Sequence, residues 1–190
     1  MSDWTSHTVE TNGIVLHYWR TGGDKPPLVI CHGVTDSGLC WRPTAKALQE
    51  DFDIIMIDAR GHGDSSKPNS GYSSEEHAKD VIGLIEALSL VRPAIMGHSM
   101  GARTASTLAY MRPDLVSKVV LEDPPWRPIV PGETEERAKA MAEWRERLAA
   151  QQQQSLEEII AAGKERSPTW ADEEFHAWAR AKQQTSLDVL

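Results

Sequence analysis

The chain has 190 residues, of which 40% are hydrophobic and 25% charged, the balance of a globular domain with a substantial core. The formal net charge of −8 argues against a nucleic-acid or anionic-membrane partner. No apolar stretch approaches the length of a membrane span, and the N-terminal residues lack a secretory signal pattern. Cys31 and Cys40 form neither a disulfide framework nor a metal motif, so a reducing cytoplasm is expected.

The first 130 residues alternate predicted strands and helices. Two β-rich runs, residues 8–11 and 14–19, are joined by Asn12-Gly13, the strongest short hairpin signal. Continuous apolar runs predict strands buried on both faces, and runs with helical spacing lie between them. These strands are predicted at 28–31, 52–57, 94–96 and 119–121, and the helices at 41–49, 73–88 and 102–110. The order predicts an α/β fold with a doubly wound, mostly parallel sheet.

The segment Gly97-His98-Ser99-Met100-Gly101 joins the strand at 94–96 to the next helix. Glycines two positions either side of Ser99 allow a sharp turn without a Cβ clash. Ser99 then lies at the start of a helix, where free N–H groups and the helix dipole favour a developing anion. The segment resembles the nucleophile elbow of the α/β-hydrolase superfamily, with Ser99 as the nucleophile.

A second resemblance to that superfamily lies at His32-Gly33-Val34, directly after the third strand. Relatives build half of an oxyanion hole there, which implies the backbone N–H groups of Val34 and Met100 as the two donors. Such donors are needed because acyl transfer develops negative charge on a carbonyl oxygen. His32 itself is expected to orient this loop by hydrogen bonding rather than to move protons.

Residues 58–65 look like the superfamily turn Asp-x-Arg-Gly-x-Gly-x-Ser. A structural role is expected, with Arg60 or Asp64 fixing the loop by hydrogen bonds. His62 and Asp64 resemble an acid–base pair, but the superfamily places its catalytic acid and histidine after the nucleophile. They are therefore rejected as catalytic residues.

The composition changes at Pro131-Gly132, which divides the chain into a core at 1–130 and a helical segment at 131–190. The helical segment carries three narrow apolar stripes: Met141, Trp144 and Leu148; Leu156, Ile159 and Ile160; Phe175, Trp178 and Ala179. The stripes could simply pack on each other. The resemblance favours a cap that roofs the active site and sorts substrates, with His176 as a surface or cap residue.

Superfamily sheets usually have eight strands, and six are predicted here. The resemblance therefore implies that strands 7 and 8, with the usual triad acid and histidine, lie beyond Leu190, on the same chain or a second one. Asp123 is the one possible acid here, because some relatives place theirs after strand 6. A turn-forming role for Asp123 is the favoured interpretation.

The resemblance implies a serine hydrolase that acts on a small carboxylic ester or lactone through an acyl-enzyme, with an apolar acyl group. A carbon–carbon bond hydrolase and a haloperoxidase-like enzyme are the alternatives. Serine rather than aspartate at the elbow argues against the superfamily's epoxide hydrolases. An alternative from another class of function is a non-catalytic receptor for a small ligand on the same fold. No metal or organic cofactor is implied, because the histidines lack ligand spacing and no dinucleotide fingerprint occurs.

Overall fold

A computed structural model describes residues 4–126 and 133–190 of the chain. These residues form one sheet of six strands in the order β1-β2-β4-β3-β5-β6. The strands are β1 (Thr5–Thr11), β2 (Ile14–Arg20), β3 (Pro27–Cys31), β4 (Asp53–Asp58), β5 (Ala94–His98) and β6 (Lys118–Glu122). β2 runs antiparallel to β1 and β4, and the pairings β4-β3, β3-β5 and β5-β6 are parallel. The predicted doubly wound, mostly parallel α/β fold is confirmed.

The hairpin at the start of the sheet turns at Asn12-Gly13, where both residues have positive φ angles of 46° and 74°. Two such residues suit the type I′ turn, whose twist matches that of the flanking strands. β1 begins at Thr5, three residues earlier than the sequence predicts. Its first half is polar and exposed, so it lacks the apolar alternation that marks a strand, yet Thr5 to Thr8 continue the register with β2.

Helices α1 (Arg42–Leu48), α2 (Ser74–Ala87) and α3 (Met100–Met111) cover the two faces of the sheet. Three further helices follow β6 along the chain: α4 (Glu133–Gln152), α5 (Leu156–Arg166) and α6 (Asp172–Gln184). Because successive strand residues point to opposite faces, each face has its own core. The core with α2 and α3 contains Leu16, Val29, Ile55, Ile57, Ile95, Ala78, Val81, Leu84, Ile85, Ala105 and Leu108. The core with α1 contains Leu28, Ile30, Ala45, Ile54 and Met56.

The second and third apolar stripes of the C-terminal helices pack on each other. Ile159 of α5 and Phe175, Trp178 and Ala179 of α6 form one buried cluster, with Leu156 and Ile160 at its margin. The first stripe, on α4, divides: Leu148 is buried, but Met141 and Trp144 line a cavity between α4 and the core. Simple mutual packing therefore accounts for α5 and α6 and not for α4.

The last strand lies at one edge of the sheet. In the part of the chain that the structure describes, β6 pairs with β5 and has no strand on its other side. Val120, at its centre, is 49% exposed. Separately, none of the helices that the structure describes is long and apolar enough to cross a membrane.

Candidate active site

Ser99 occupies the turn between β5, which ends at His98, and α3, which begins at Met100. Its φ of +50° and ψ of −110° lie in a sparsely populated region for a residue with a side chain. The backbone around it is held from both sides. The Ser99 N–H donates to the carbonyl oxygen of Glu122 at 3.0 Å, and its own carbonyl accepts the Arg103 N–H at 3.1 Å. Strained backbone of this kind persists where the surrounding structure fixes it, commonly at functional sites.

The two elbow glycines allow backbone segments to approach closely. A Cβ on Gly97 would lie 2.2 Å from the carbonyl oxygen of Gly101, and one on Gly101 would lie 2.0 Å from that of Cys31. Neither glycine has a positive φ angle; Ser99 itself carries it. The glycines therefore let the first turn of α3 lie directly against β3 and β5, which positions Ser99 above the sheet edge.

Ser99, Val34 and Met100 line one cavity of about 550 Å³. The structure thus brings together the three residues that the sequence singles out. Among the residues that it describes, neither the Val34 nor the Met100 backbone N–H has an intramolecular hydrogen-bond partner. Two such N–H groups beside a serine hydroxyl can bind the oxygen of a carbonyl under attack.

His32 is wholly buried beneath the loop that carries Val34. Its Nδ1 lies 2.7 Å from the carbonyl oxygen of Gly33, and its Nε2 accepts the Ala59 N–H at 3.0 Å. Since Nε2 accepts a hydrogen bond, Nδ1 carries the ring proton and donates a hydrogen bond to the carbonyl oxygen of Gly33. Burial lowers the pKa of His32, which keeps the ring neutral. These contacts agree with the expected loop-orienting role.

His62 supports the same loop from the turn after β4. Its Nε2 accepts the Thr35 N–H at 3.3 Å, and its Nδ1 donates to the carbonyl oxygen of Arg60 at 2.8 Å. Burial, followed by the nearby His32 ring, lowers the pKa of His62 well below its usual range. With both ring nitrogens engaged and the ring neutral, His62 serves the loop structurally.

The turn at 58–65 is fixed by buried charges. Arg60 makes two hydrogen bonds of 2.6 Å to the carboxylate of Asp80 on α2, a planar bidentate pair. Asp58 accepts the N–H groups of Gly38 and Asp64 and pairs with His17 at 2.8 Å. Arg60 and Asp58 therefore set the loop, while the carboxylate of Asp64 accepts a hydrogen bond from Gln184 of α6.

Lys182 of α6, which sequence reasoning missed, is buried against the loop that carries Val34. Its Nζ donates to the Thr35 carbonyl oxygen at 2.8 Å, to Thr35 Oγ1 at 3.0 Å and to Asp36 Oδ1 at 2.8 Å. It also lies 5.2 Å from the centre of the Trp178 ring. A lysine in a charged helix carries no sequence signal for such a contact, because its partner is distant along the chain.

The cavity around Ser99 is lined by both polar and apolar side chains. The polar side chains are Tyr72, Ser74, His77, Arg103, Thr104 and Arg137, and the apolar residues include Pro125, Ala140, Met141, Trp144, Val189 and Leu190. Burial, reinforced by Arg60, lowers the pKa of His77 to about 4, so its ring is neutral at pH 7. His77 and Arg137 have no motif around them and were not identified from the sequence.

Asp123 directly follows β6, beside the elbow. The register pairs His98 with Glu122, so the next residues, Ser99 and Asp123, adjoin each other at the strand ends. Asp123 has a φ of +43°, a conformation that aspartate adopts in turns. His176 is exposed on α6, as expected for a surface or cap residue.

The sheet order, the elbow and the loop after β3 define an α/β hydrolase. A family model described as the alpha/beta hydrolase fold matches residues 26–185, and the chain belongs to that family.

Among curated proteins, it is 38% identical to 2-(acetamidomethylene)succinate hydrolase of Mesorhizobium japonicum over 118 residues, which are 62% of this chain and 42% of that protein. It is also 38% identical to a soluble epoxide hydrolase of a Corynebacterium species over 119 residues, 63% of this chain and 41% of that protein.

A solved structure of E-2-(acetamidomethylene)succinate hydrolase superposes with a TM-score of 0.80 at 27% identity, covering 98% of this chain and 70% of that one. The match thus spans about two fifths of the length of these curated relatives.

Proposed function

We propose that the complete protein is a serine hydrolase in which Ser99 attacks a carbonyl carbon. The N–H groups of Val34 and Met100 hold the oxyanion, and water then hydrolyses the acyl-enzyme. The observation that carries the proposal is that these three groups line one cavity, with the backbone at Ser99 held in a strained turn.

Serine needs a base to become a good nucleophile. His77 lines the same cavity, but its pKa of about 4 makes it a weak base at neutral pH. We therefore assign the base to a histidine in a C-terminal part of the fold beyond Leu190, on the same chain or a second one. Asp123, beside Ser99 at the strand ends, is available to orient that histidine.

The substrate class is a carboxylic ester or lactone, or an amide of similar size. The amide is added because one relative is named for an acetamido compound. Another relative is an epoxide hydrolase, but serine at the elbow supports acyl transfer, since aspartate would be expected there for epoxide opening. A reducing cytoplasm is part of the proposal, supported by the two free thiols, Cys31 and Cys40.

Residues 131–190 act as the cap in this proposal. α4 contributes Met141 and Trp144 to the wall of the cavity that Ser99 also lines. α6 reaches the loop that carries Val34 through Lys182. The cap thus forms part of the substrate pocket and contacts the loop that carries Val34, whereas the nucleophile comes from the core.

Labelling with a fluorophosphonate tests the proposal on the complete protein. We expect one adduct, mapped by mass spectrometry to Ser99, together with hydrolysis of nitrophenyl esters. Ser99→Ala should abolish both, whereas Ser106→Ala, on the helix that follows Ser99, should keep both. Labelling at another residue, or equal labelling of Ser99→Ala, would overturn the assignment. Tight binding of a small ligand without any turnover would favour the alternative of a non-catalytic receptor on the same fold.

A further inference from the structure

The cavity at Ser99 is lined by positively charged side chains although the chain as a whole is acidic. Acidic residues outnumber basic ones by 28 to 20. Yet the two charged side chains among the residues that line the cavity are both arginines, Arg103 and Arg137, and no aspartate or glutamate is among them. A concave site lined by one sign of charge concentrates ligands of the opposite sign.

The two arginines that line the cavity come from different helices. Arg103 lies one helical turn after Ser99 on α3, and its Nη2 donates to the carbonyl oxygen of Pro125 at 3.0 Å, which anchors it beside the nucleophile. Arg137 comes from α4, one turn before Met141 and two before Trp144. Within the described ranges, neither guanidinium forms an ion pair with a carboxylate of the chain.

We propose that Arg137, with Arg103, binds a free carboxylate on the substrate while Ser99 attacks a carbonyl elsewhere in the same molecule. The inference rests on the proposed function and names its substrate class: small acyl compounds that carry a second, ionised carboxyl group. The planar guanidinium fork matches a carboxylate in two parallel hydrogen bonds. The apolar surfaces of Met141 and Trp144 then contact the carbon chain between the two groups.

The remaining polar lining fits an anion as well. His77 is neutral at pH 7, and Ser74 carries a hydroxyl group that can donate a hydrogen bond, whereas the Tyr72 hydroxyl donates to the carbonyl oxygen of Pro68. The cavity therefore offers donors and two positive charges, with no carboxylate side chain to repel an acid. An uncharged fatty ester would leave both arginines without a partner on the substrate. The expected apolar acyl group is therefore replaced by one that also carries an ionised carboxyl group.

The test compares two esters on the complete protein: mono-4-nitrophenyl adipate and its methyl ester, which differ in one negative charge. The free acid should have the higher kcat/KM, and this preference should shrink as NaCl is raised. Arg137→Gln should lower kcat/KM for the acid about 10–100-fold more than for the methyl ester, because a hydrogen bond to a charged group is lost. The kcat/KM of Arg137→Lys for the free acid should lie between the values of the wild-type protein and of Arg137→Gln.

Arg147→Gln is the matched control, because Arg147 is an exposed arginine of α4 that pairs with Glu143 and does not line this cavity. A wild-type preference for the methyl ester, or equal losses on both esters in Arg137→Gln, would overturn the subsite. Fluorophosphonate labelling separates the two proposals. Labelled Ser99 without charge preference refutes the subsite alone, and an unlabelled wild-type protein refutes the serine mechanism.

If Arg137→Gln does not fold, protection of the wild-type protein gives the answer. Adipate should slow the labelling of Ser99 at concentrations where adipamide has no effect. Equal protection by the two compounds would contradict a carboxylate subsite.

Discussion

The Lys182 Nζ donates to the Thr35 carbonyl oxygen at 2.8 Å, across 147 positions of the chain. Thr35 has a φ of +67°, which is costly for a β-branched residue. On its other side the Thr35 N–H donates to His62. The loop that carries Val34 is therefore clamped between the core and α6, and Lys182 stabilises a backbone conformation that the loop would otherwise leave.

Lys182→Met should lower kcat with little change in KM. The methionine keeps the apolar stem but removes the three donors, so the Val34 N–H loses its fixed position. Removing an oxyanion donor outright costs about 10²–10³-fold in kcat, and displacement should cost about 10–100-fold. Lys182→Arg should recover part of the loss, and Lys164→Met, in a surface pair with Asp172, should change neither constant. A rise in KM alone would show that Lys182 acts on substrate binding instead.

Ser99→Gly should raise the melting temperature while abolishing activity. A φ of +50° with ψ of −110° costs about 1–3 kcal/mol for a residue with a Cβ, and glycine relieves most of it. Each kcal/mol corresponds to about 2–4 °C for a domain of this size. Ser99→Ala should melt like the wild type, and Ser106→Gly, inside α3, should melt lower. Equal melting of Ser99→Gly and Ser99→Ala would show that the turn is unstrained.

The free energy of unfolding should fall as the pH drops below about 6.5. Burial lowers the pKa values of His32, His62 and His77 in the folded chain, so the unfolded chain binds more protons in this range. Their stabilising effect is complete above the unfolded pKa of about 6.5, and for His77 it is lost progressively down to about pH 4. Each such histidine contributes a slope of about 1.4 kcal/mol per pH unit.

Urea titrations at intervals between pH 7.5 and 4.5 measure this slope. His77→Gln should make it shallower by about one proton, whereas His176→Gln should leave it unchanged because His176 is exposed. A free energy of unfolding that is constant between pH 7 and 5 would contradict the neutral, buried state of these rings.

Trp144 and Trp178 should respond differently to substitution. Trp144 lines the cavity at Ser99, so Trp144→Ala should change the ranking of acyl chain lengths. Trp178 is 7% exposed in the cluster between α5 and α6. Trp178→Ala should lower the free energy of unfolding of the cap by about 3–5 kcal/mol. Kinetics on a nitrophenyl ester series, with thermal melts in parallel, distinguish the two. Rates scaled alike at all chain lengths in Trp144→Ala would argue against a pocket wall.

The polypeptide of residues 1–190, produced alone, should associate and be inactive on nitrophenyl esters. Within residues 4–126 and 133–190, β6 has no strand on its outer side and exposes the side chain of Val120, and an apolar edge strand recruits other chains. Val120→Lys should reduce the sedimenting aggregate, since a charge at the edge opposes pairing. Val91→Lys is the control, because Val91 is 82% exposed but lies outside the sheet. A monomeric, cooperatively melting wild-type polypeptide with Ser99-dependent turnover would contradict this prediction.

The sequence predicts the sheet well because buried parallel strands are continuous apolar runs, as at 28–31 and 52–57. The elbow is recognisable because Gly97 and Gly101 are required by backbone packing at fixed offsets from Ser99. The contacts of Lys182 and the cavity position of Arg137 were not predictable. Both depend on how α4 and α6 pack against the core. From the sequence, a charged residue in a charged helix is expected to be exposed to solvent. The sequence does not decide the role of Asp123. An aspartate directly after strand 6 suits a turn-forming residue and a catalytic acid equally well.

The cavity wall contributed by α4 is separated from the parts that hold the fold together. Among the residues of α4 whose exposure the structure describes, Leu148 is the one that is buried, whereas Arg137 and Met141 are exposed. Exposed positions tolerate substitution within about 0.5 kcal/mol. Under the proposed carboxylate subsite, changes at Arg137 and Met141 are therefore expected to alter which substrates are accepted at almost no cost in folding. Natural variation or directed evolution can explore new substrates on α4 while Ser99 and its glycines stay fixed.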